Sequence, residues 1–266
     1  MNISSMISKY LKQDNNYLTS QNLAAEEIII KKIAASPVSR FITIKGGIIM
    51  YHLSKNKRRV TRDIDFDLLR YPIDNDSIVL LVNQLNDLND RIKVSINGEI
   101  EELHQEDYQG RRVHLKLSDD NDDELSIKLD IGVHTYHAIA QSVIVFEFGD
   151  NISFPLKANP CEQVFAEKLM SLVKFGLNST RFKDIYDLYY LIDNNLLNIQ
   201  KLKEILNLFI SLNYRDINTI YNIVLSIEET LNDPLFKKEA SKSKHSWVEV
   251  DYDEVKETII EFLKIL

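Results

Sequence analysis

The sequence predicts an α+β chain in which a mixed sheet with flanking helices is followed by an all-helical C-terminal half. Two observations carry this. Up to Phe148, short runs of alternating or continuous apolar residues are separated by turn residues, as strands are. From Cys161 to Leu266 nearly every window has helical periodicity instead. Pro155 and Pro160 bracket what reads as a short linker, so an α/β domain is expected over 1–155 and a helical domain over 156–266. A cleft between two such halves is a common place for a ligand.

The elements follow in order. Gln21 to Ala35 reads as a helix, with Glu26 and Glu27 ahead of Lys31 and Lys32, a charge order that suits the helix dipole. Pro37 ends it. Phe41 to Ile44 reads as a buried strand running into Lys45-Gly46-Gly47, and Ile48 to Ser54 as a helix. A basic cluster, Lys55, Lys57, Arg58 and Arg59, precedes a strand over Val60 to Leu69. Ile78 to Leu88 has one apolar stripe of Ile78, Leu81, Val82, Leu85 and Leu88. Strands are expected at Ile92 to Ile96, Arg111 to Leu117, Leu125 to Val133 and Ser142 to Phe148. In the helical half, Val164, Phe165, Lys168, Leu169 and Leu172 lie at helix spacing, as do Ile185, Leu188, Tyr189 and Ile192.

Composition narrows the function. The 266 residues carry a net charge of −8, from 32 Lys and Arg against 40 Asp and Glu, which argues against a surface coated in basic charge for non-specific nucleic-acid binding. A single Cys excludes a disulfide framework and a Cys-based zinc site, and fits a reducing, cytoplasmic setting. The opening MNISSMISKYLKQDNN has no basic start followed by an apolar run, so no secretory signal is expected. No apolar stretch approaches the ~20 residues of a membrane span.

Asp63-Ile64-Asp65-Phe66-Asp67 is the most informative segment. On a strand, residues two apart share a face, so the three aspartates point one way and Ile64, Phe66 and Leu68 the other. Such a row of carboxylates repels itself unless a cation sits among it, and magnesium takes one or two carboxylates plus phosphate oxygens and water. Gly46-Gly47, at a strand end and opening a helix, offers backbone N–H groups to a phosphate. Asp130 ends the apolar strand Leu125 to Ile131 and reads either as a turn former or as a third metal ligand. Three carboxylates on adjacent strands would hold two magnesium ions, one on a triphosphate and one on the attacking hydroxyl.

Lys45-Gly46-Gly47, followed by Arg59-Val60-Thr61-Arg62-Asp63-Ile64-Asp65-Phe66, resembles the AbiEii/AbiGii-type toxin nucleotidyltransferases, members of the DNA-polymerase-β-like nucleotidyltransferase superfamily. Glu162, Glu167-Lys168-Leu169 and Arg181-Phe182-Lys183-Asp184-Ile185-Tyr186-Asp187-Leu188 resemble the family's second block. The resemblance covers Phe41 to Ile192. It implies a nucleotidyltransferase-type sheet in the first domain and a helical second domain that completes the active-site cleft. It implies phosphate and nucleotide binding at Lys45, Gly46, Gly47, Arg59 and Thr61, metal binding at Asp63 and Asp65, and catalysis by Asp63, Asp65, Lys168 and Asp184, while Asp130 as a further metal ligand rests on its place at the end of its strand rather than on a motif. Gly47 is followed by Ile48 where many relatives have Ser or Thr. It further implies magnesium, a nucleoside triphosphate substrate, the tRNA 3′ end as acceptor, a cognate antitoxin, and a type IV toxin–antitoxin role in phage defence.

The residues alone leave alternatives open. Lys168 interrupts an apolar stripe and either snorkels to water or meets an anion. Asp184 and Asp187, one turn apart, flank a core face and are placed to look into a cleft, with Arg181 and Lys183 as neighbours for helical salt bridges. Tyr186, Tyr189 and Tyr190 read as core packing rather than as base-stacking rings. Lys55 to Arg59, and Lys237, Lys238, Lys242 and Lys244, are either RNA contacts or solvated loops. His134 and His137 lack metal-ligand partners, and Cys161 reads as inert. Two rival functions stand beside the main reading: nucleotidyl transfer to a small molecule or protein, and a nucleotide-binding module without turnover.

Overall fold

The computed structural model describes residues 2–13, 15–61, 63–88, 90–105, 108–148, 153–213 and 217–266. The chain divides into two compact units, Met1–Asn159 and Pro160–Leu266. The first holds α1 (Ile3–Leu11), α2 (Tyr17–Ala35), β1 (Ile42–Lys45), α3 (Gly47–Ser54), β2 (Asp63–Leu68), α4 (Asn75–Gln84), β3 (Ile92–Ile96), β4 (Glu101–Gln105), β5 (Tyr108–Asp119), β6 (Glu124–Val133), β7 (Ser142–Glu147) and β8 (Ser153–Ala158). The second holds α5 (Cys161–Phe175), α6 (Lys183–Asp193), α7 (Ile199–Asn213), α8 (Ile220–Asn232), α9 (Pro234–Ala240) and α10 (Tyr252–Lys264). Among the described residues no helix is long and apolar enough to cross a membrane.

The helices begin where polar side chains can satisfy their first N–H groups. The side chains of Asn2, Asn16 and Asp74 accept from the backbone N–H groups of Ser5, Thr19 and Ser77. These caps explain why α2 starts before Gln21 and why α4 runs from Asn75 rather than from Ile78. α1 precedes the helix expected from Gln21, and Ile3, Met6, Ile7 and Tyr10 form its buried stripe. The charges of α2 do more than follow the dipole, because Glu26, Glu27 and Lys32 are buried. Glu27 meets Lys31 at 2.5 Å and the Tyr10 hydroxyl at 2.7 Å, Lys32 meets Asp90 at 2.8 Å, and Glu26 meets His52 at 2.9 Å. Buried charges survive only when paired in this way.

The strand order is β3-β5-β6-β2-β1-β8-β7, with β4 added to β5. β1 and β2 are antiparallel, β2 and β6 parallel, and β5 and β6 antiparallel. Cross-strand partners share a face, so the register sorts the sheet into an apolar face and a polar one. Ile44, Phe66 and Ile131 lie in one row and are all fully buried. Ile42, Ile64, Leu68 and Leu129 extend this face.

Three sequence expectations are corrected. The segment read as a linker before Pro160 is β8, paired with β7 from Ser142↔Ala158 to Glu147↔Ser153. Pro155 is tolerated because β1 reaches only the Ala158 end of β8, at Ile44, so β8 has one sheet neighbour at Pro155. The strand expected from Val60 starts at Asp63, because Lys57–Arg59 close a 3-10 turn. β4, too polar to alternate, is ordered by β5, which is longer than Arg111 to Leu117.

β1 leads into α3 through Gly46, whose φ of +72° disfavours any L side chain. A Cβ there would also enter the carboxylate of Asp65, on the neighbouring strand. Gly46 is therefore a glycine for two independent reasons.

Two outcomes follow. Phe66→Ala is expected to lower unfolding free energy by about 3–5 kcal/mol, whereas Asp63→Ala, one pleat away on the polar face, should stay within about 1 kcal/mol of wild type in urea titrations. Gly46→Ala is expected to cost about 1–3 kcal/mol from backbone strain alone.

Candidate active site

The polar face of the sheet is a set of rows fixed by register. Lys45, Asp65, Asp130 and Arg112 are successive cross-strand partners from β1, β2, β6 and β5. Thr43, Asp67 and Gly132 form the next row, and Asp63 pairs with Lys128. Repulsion among the carboxylates is offset by cations from neighbouring strands. Lys128 Nζ lies 2.8 Å from Asp63, and Lys45 Nζ lies 2.6 Å from Asp67. Arg112 donates twice to Asp130, from Nε and from Nη2, each at 2.8 Å. The Asp130 carboxylate in turn raises the pKa of the Arg112 guanidinium.

The Gly46-Gly47 turn sits against this face. Gly46 touches Asp65, as described. A Cβ on Gly47 would lie 3.0 Å from Arg59 Nη1 and 3.2 Å from Thr61 Oγ1, so both side chains close around the turn. Arg59 is buried, whereas its neighbours Lys55, Lys57 and Arg58 are exposed. The basic cluster therefore splits, with one member turned inward. Gly46 supplies no side-chain cap to α3, which leaves the first N–H groups of that helix to other acceptors. Lys45, Gly46, Gly47, Arg59, Thr61 and Asp65 thus converge on one turn. Arg62 of the same motif lies outside the described residues.

A buried polar group backs Thr43. Its hydroxyl lies 2.5 Å from Gln141 Oε1 and 3.3 Å from Asn159 Oδ1, and Gln141 Nε2 lies 3.3 Å from His134 Nε2. Burial pushes the His134 pKa down, against the pull of the Asp67 charge, which favours the neutral ring.

Asp63 and Asp65, on one face of one strand, fit a hard divalent cation that also takes phosphate oxygens. Among the described residues no group of three or more His, Cys, Asp or Glu side chains could hold a metal unaided. A cation here would draw on substrate oxygens as well, which is how magnesium is commonly bound. Asp130 is beside Asp65 in register, but both of its oxygens are engaged by Arg112.

The second unit has its own charged centre. Lys168 of α5 does not snorkel to water. Its ammonium lies 2.5 Å from Asp184 and 2.7 Å from Asp187, both on α6. Asp187 is fully buried rather than facing open space, and its Oδ1 accepts from the Trp247 indole N–H at 3.0 Å. Glu162 accepts from the Asn198 N–H at 2.9 Å and meets Lys201 at 3.0 Å, which ties α5 to the start of α7. Glu167 accepts from Gln163. The tyrosines of α6 serve packing: Tyr186 and Tyr189 are buried, the Tyr186 hydroxyl donates to the Ala240 carbonyl, and the Tyr190 ring lies 5.3 Å from that of Trp247. Burial raises the Cys161 thiol pKa, which disfavours the reactive thiolate. Of the second basic group, Lys237 pairs with Asp253 and Lys242 with Glu239.

Sequence reasoning named the carboxylates and missed their partners. Arg112 and Lys128 carry no local motif, and only the register of β5, β6 and β2 brings them to Asp130 and Asp63. Asp67 was visible as the third aspartate of the row, but its hold on Lys45 depends on β1 pairing with β2.

A family model described as "Nucleotidyl transferase AbiEii toxin, Type IV TA system" matches residues 28–263. No curated protein matches the chain. Among solved structures, an antigenic nucleotidyltransferase-like protein from Paracoccidioides brasiliensis is similar at 18% identity and a TM-score of 0.38, over 64% of this chain and 79% of that one. The antibiotic-resistance factor ANT(2'')-Ia is similar at 16% identity and a TM-score of 0.40, over 70% of this chain and 92% of that one. These two likenesses are too distant to carry an argument, whereas the family model spans most of both units. The chain therefore belongs to the AbiEii family of type IV toxin–antitoxin systems and is a nucleotidyltransferase.

Proposed function

We propose that this enzyme is a magnesium-dependent toxin that transfers a nucleoside monophosphate from a nucleoside triphosphate to the 3′ end of tRNA. The observation that supports this most is the convergence of Gly46, Gly47, Arg59 and Thr61 with Asp65 at one turn. Phosphate-binding donors and a metal-binding carboxylate then serve the same substrate.

In this reading the triphosphate is received by the N–H groups at Gly46-Gly47 and by Arg59 and Thr61. Lys45, anchored by Asp67, adds positive charge beside them. Asp63 and Asp65 would hold magnesium, with Asp130 as a candidate for a second ion once Arg112 releases it. When bound, the metal would neutralise triphosphate charge and acidify the attacking hydroxyl. Lys168 is assigned to neutralising charge on the triphosphate, and Asp184 to orienting that ammonium. Catalysis would come from positioning and charge neutralisation, as in other phosphoryl transfers. A cognate antitoxin as partner, a cytoplasmic setting and a role in phage defence complete the proposal.

The test incubates purified protein with magnesium, total tRNA and each of four α-labelled nucleoside triphosphates, with wild type run beside Asp65→Ala. Label on tRNA from one nucleotide is expected, with a loss of more than about 100-fold in Asp65→Ala. The variant should melt within a few degrees of wild type. A variant retaining half its rate would remove the metal assignment. Pyrophosphate released only with another acceptor would replace tRNA by a small molecule or protein. Nucleotide binding without turnover on any acceptor would leave a binding module.

A further inference from the structure

Lys168 is held by more than charge balance requires. One carboxylate suffices to neutralise one ammonium, yet Asp184 and Asp187 both contact it, at 2.5 and 2.7 Å. The second carboxylate is the more deeply placed, since Asp187 is 0% exposed and Asp184 7%. An excess negative charge in such a place opposes folding unless other donors disperse it. Trp247 is one such donor: its indole N–H, itself buried, reaches Asp187 Oδ1 from the segment between α9 and α10. The two oxygens of Asp187 are thereby divided, Oδ1 to the indole and Oδ2 to the ammonium. Apolar side chains of similar volume would serve packing at least as well. What the network adds is direction. A lysine is a point charge on a flexible stem, and acceptors on two sides restrict where its head can lie.

We infer that Asp187 and Trp247 are positioning residues for nucleotidyl transfer, with Trp247 fixing Asp187 and Asp187, together with Asp184, aiming the Lys168 ammonium. The inference rests on the reading of Lys168 as a residue of the reaction. Trp247 donates to Asp187 and Asp187 contacts Lys168, so the effect of the indole N–H on the ammonium is expected to pass through that carboxylate.

The variants are Trp247→Phe, which keeps an aromatic ring and removes the N–H, and Asp187→Asn, which keeps volume and removes the charge. Each is expected to lower kcat by about 10–100-fold with little change in KM for the nucleotide. The double variant should be no slower than Asp187→Asn alone, since both act on one path. Wild-type kcat in both single variants, or effects that multiply in the double variant, would overturn the inference.

A second measurement does not depend on turnover. The chain has one Trp, so its NMR spectrum holds a single indole N–H resonance. That resonance should be protected from exchange and should move in Asp187→Asn and in Lys168→Met. A resonance unmoved by both substitutions would overturn the inference even where Trp247→Phe folds poorly. Lys168→Ala separates the two levels. An active Lys168→Ala removes the reading of Lys168 and the inference with it. An inactive Lys168→Ala beside fully active Trp247→Phe and Asp187→Asn removes the inference alone.

Discussion

The close approach of the β1–α3 turn to β2 governs the geometry of the first unit. At Gly46 the main chain passes so near the Asp65 carboxylate that no Cβ fits, and its positive φ then swings the chain into α3. α3 begins at the next residue, so its uncapped N–H groups open beside a carboxylate. Gly47 in turn leaves room for Arg59 and Thr61. A bulkier turn would hold the backbone donors away from Asp65 by the width of a side chain.

Charge is handled differently in the two units. On the sheet, ion pairs tie carboxylates to cations from neighbouring strands, Asp63 to Lys128, Asp67 to Lys45 and Asp130 to Arg112. Most of these side chains are partly exposed, so water shares in the stabilisation and exchange of partners is inexpensive. Around Lys168 the arrangement is buried and uneven, with two carboxylates on one ammonium and an indole N–H on one of those carboxylates. Removing a member there leaves a charge without solvent to replace its partner. The first arrangement suits a surface that must accept a charged substrate, and the second a group that must not move.

Much of the site was legible because its signals are local. Asp63, Asp65 and Asp67 share a face by the two-residue period of a strand, and Gly46-Gly47 marks a turn whatever surrounds it. The alternation of Ile64, Phe66 and Leu68 likewise gave the buried face. What escaped was set by distant pairing. β8 looked like a linker because Pro155 and Pro160 punctuate it, and its strand character comes from β7 alongside. Arg112 lies in an ordinary polar strand and becomes the partner of Asp130 only through register. Asp187 seemed free to face a cleft, since helical spacing gives a side chain's direction but not what lies opposite. Trp247 lies 60 residues further on and could not be joined to Asp187 by any local rule.

The parallel pairing of β2 with β6 also bears on how the protein is made. Asp65 and Asp130 are partners across a connection that contains α4, β3, β4 and β5, and β1 meets β8 only at Ala158. Contacts between residues so far apart in sequence form late and slowly. During synthesis the Gly-Gly turn and the aspartate row leave the ribosome long before the strands that order them. A growing chain, or one cut short before β6, carries the first motif in full yet lacks the parallel partner of β2, and so cannot order the aspartate row as the finished sheet does.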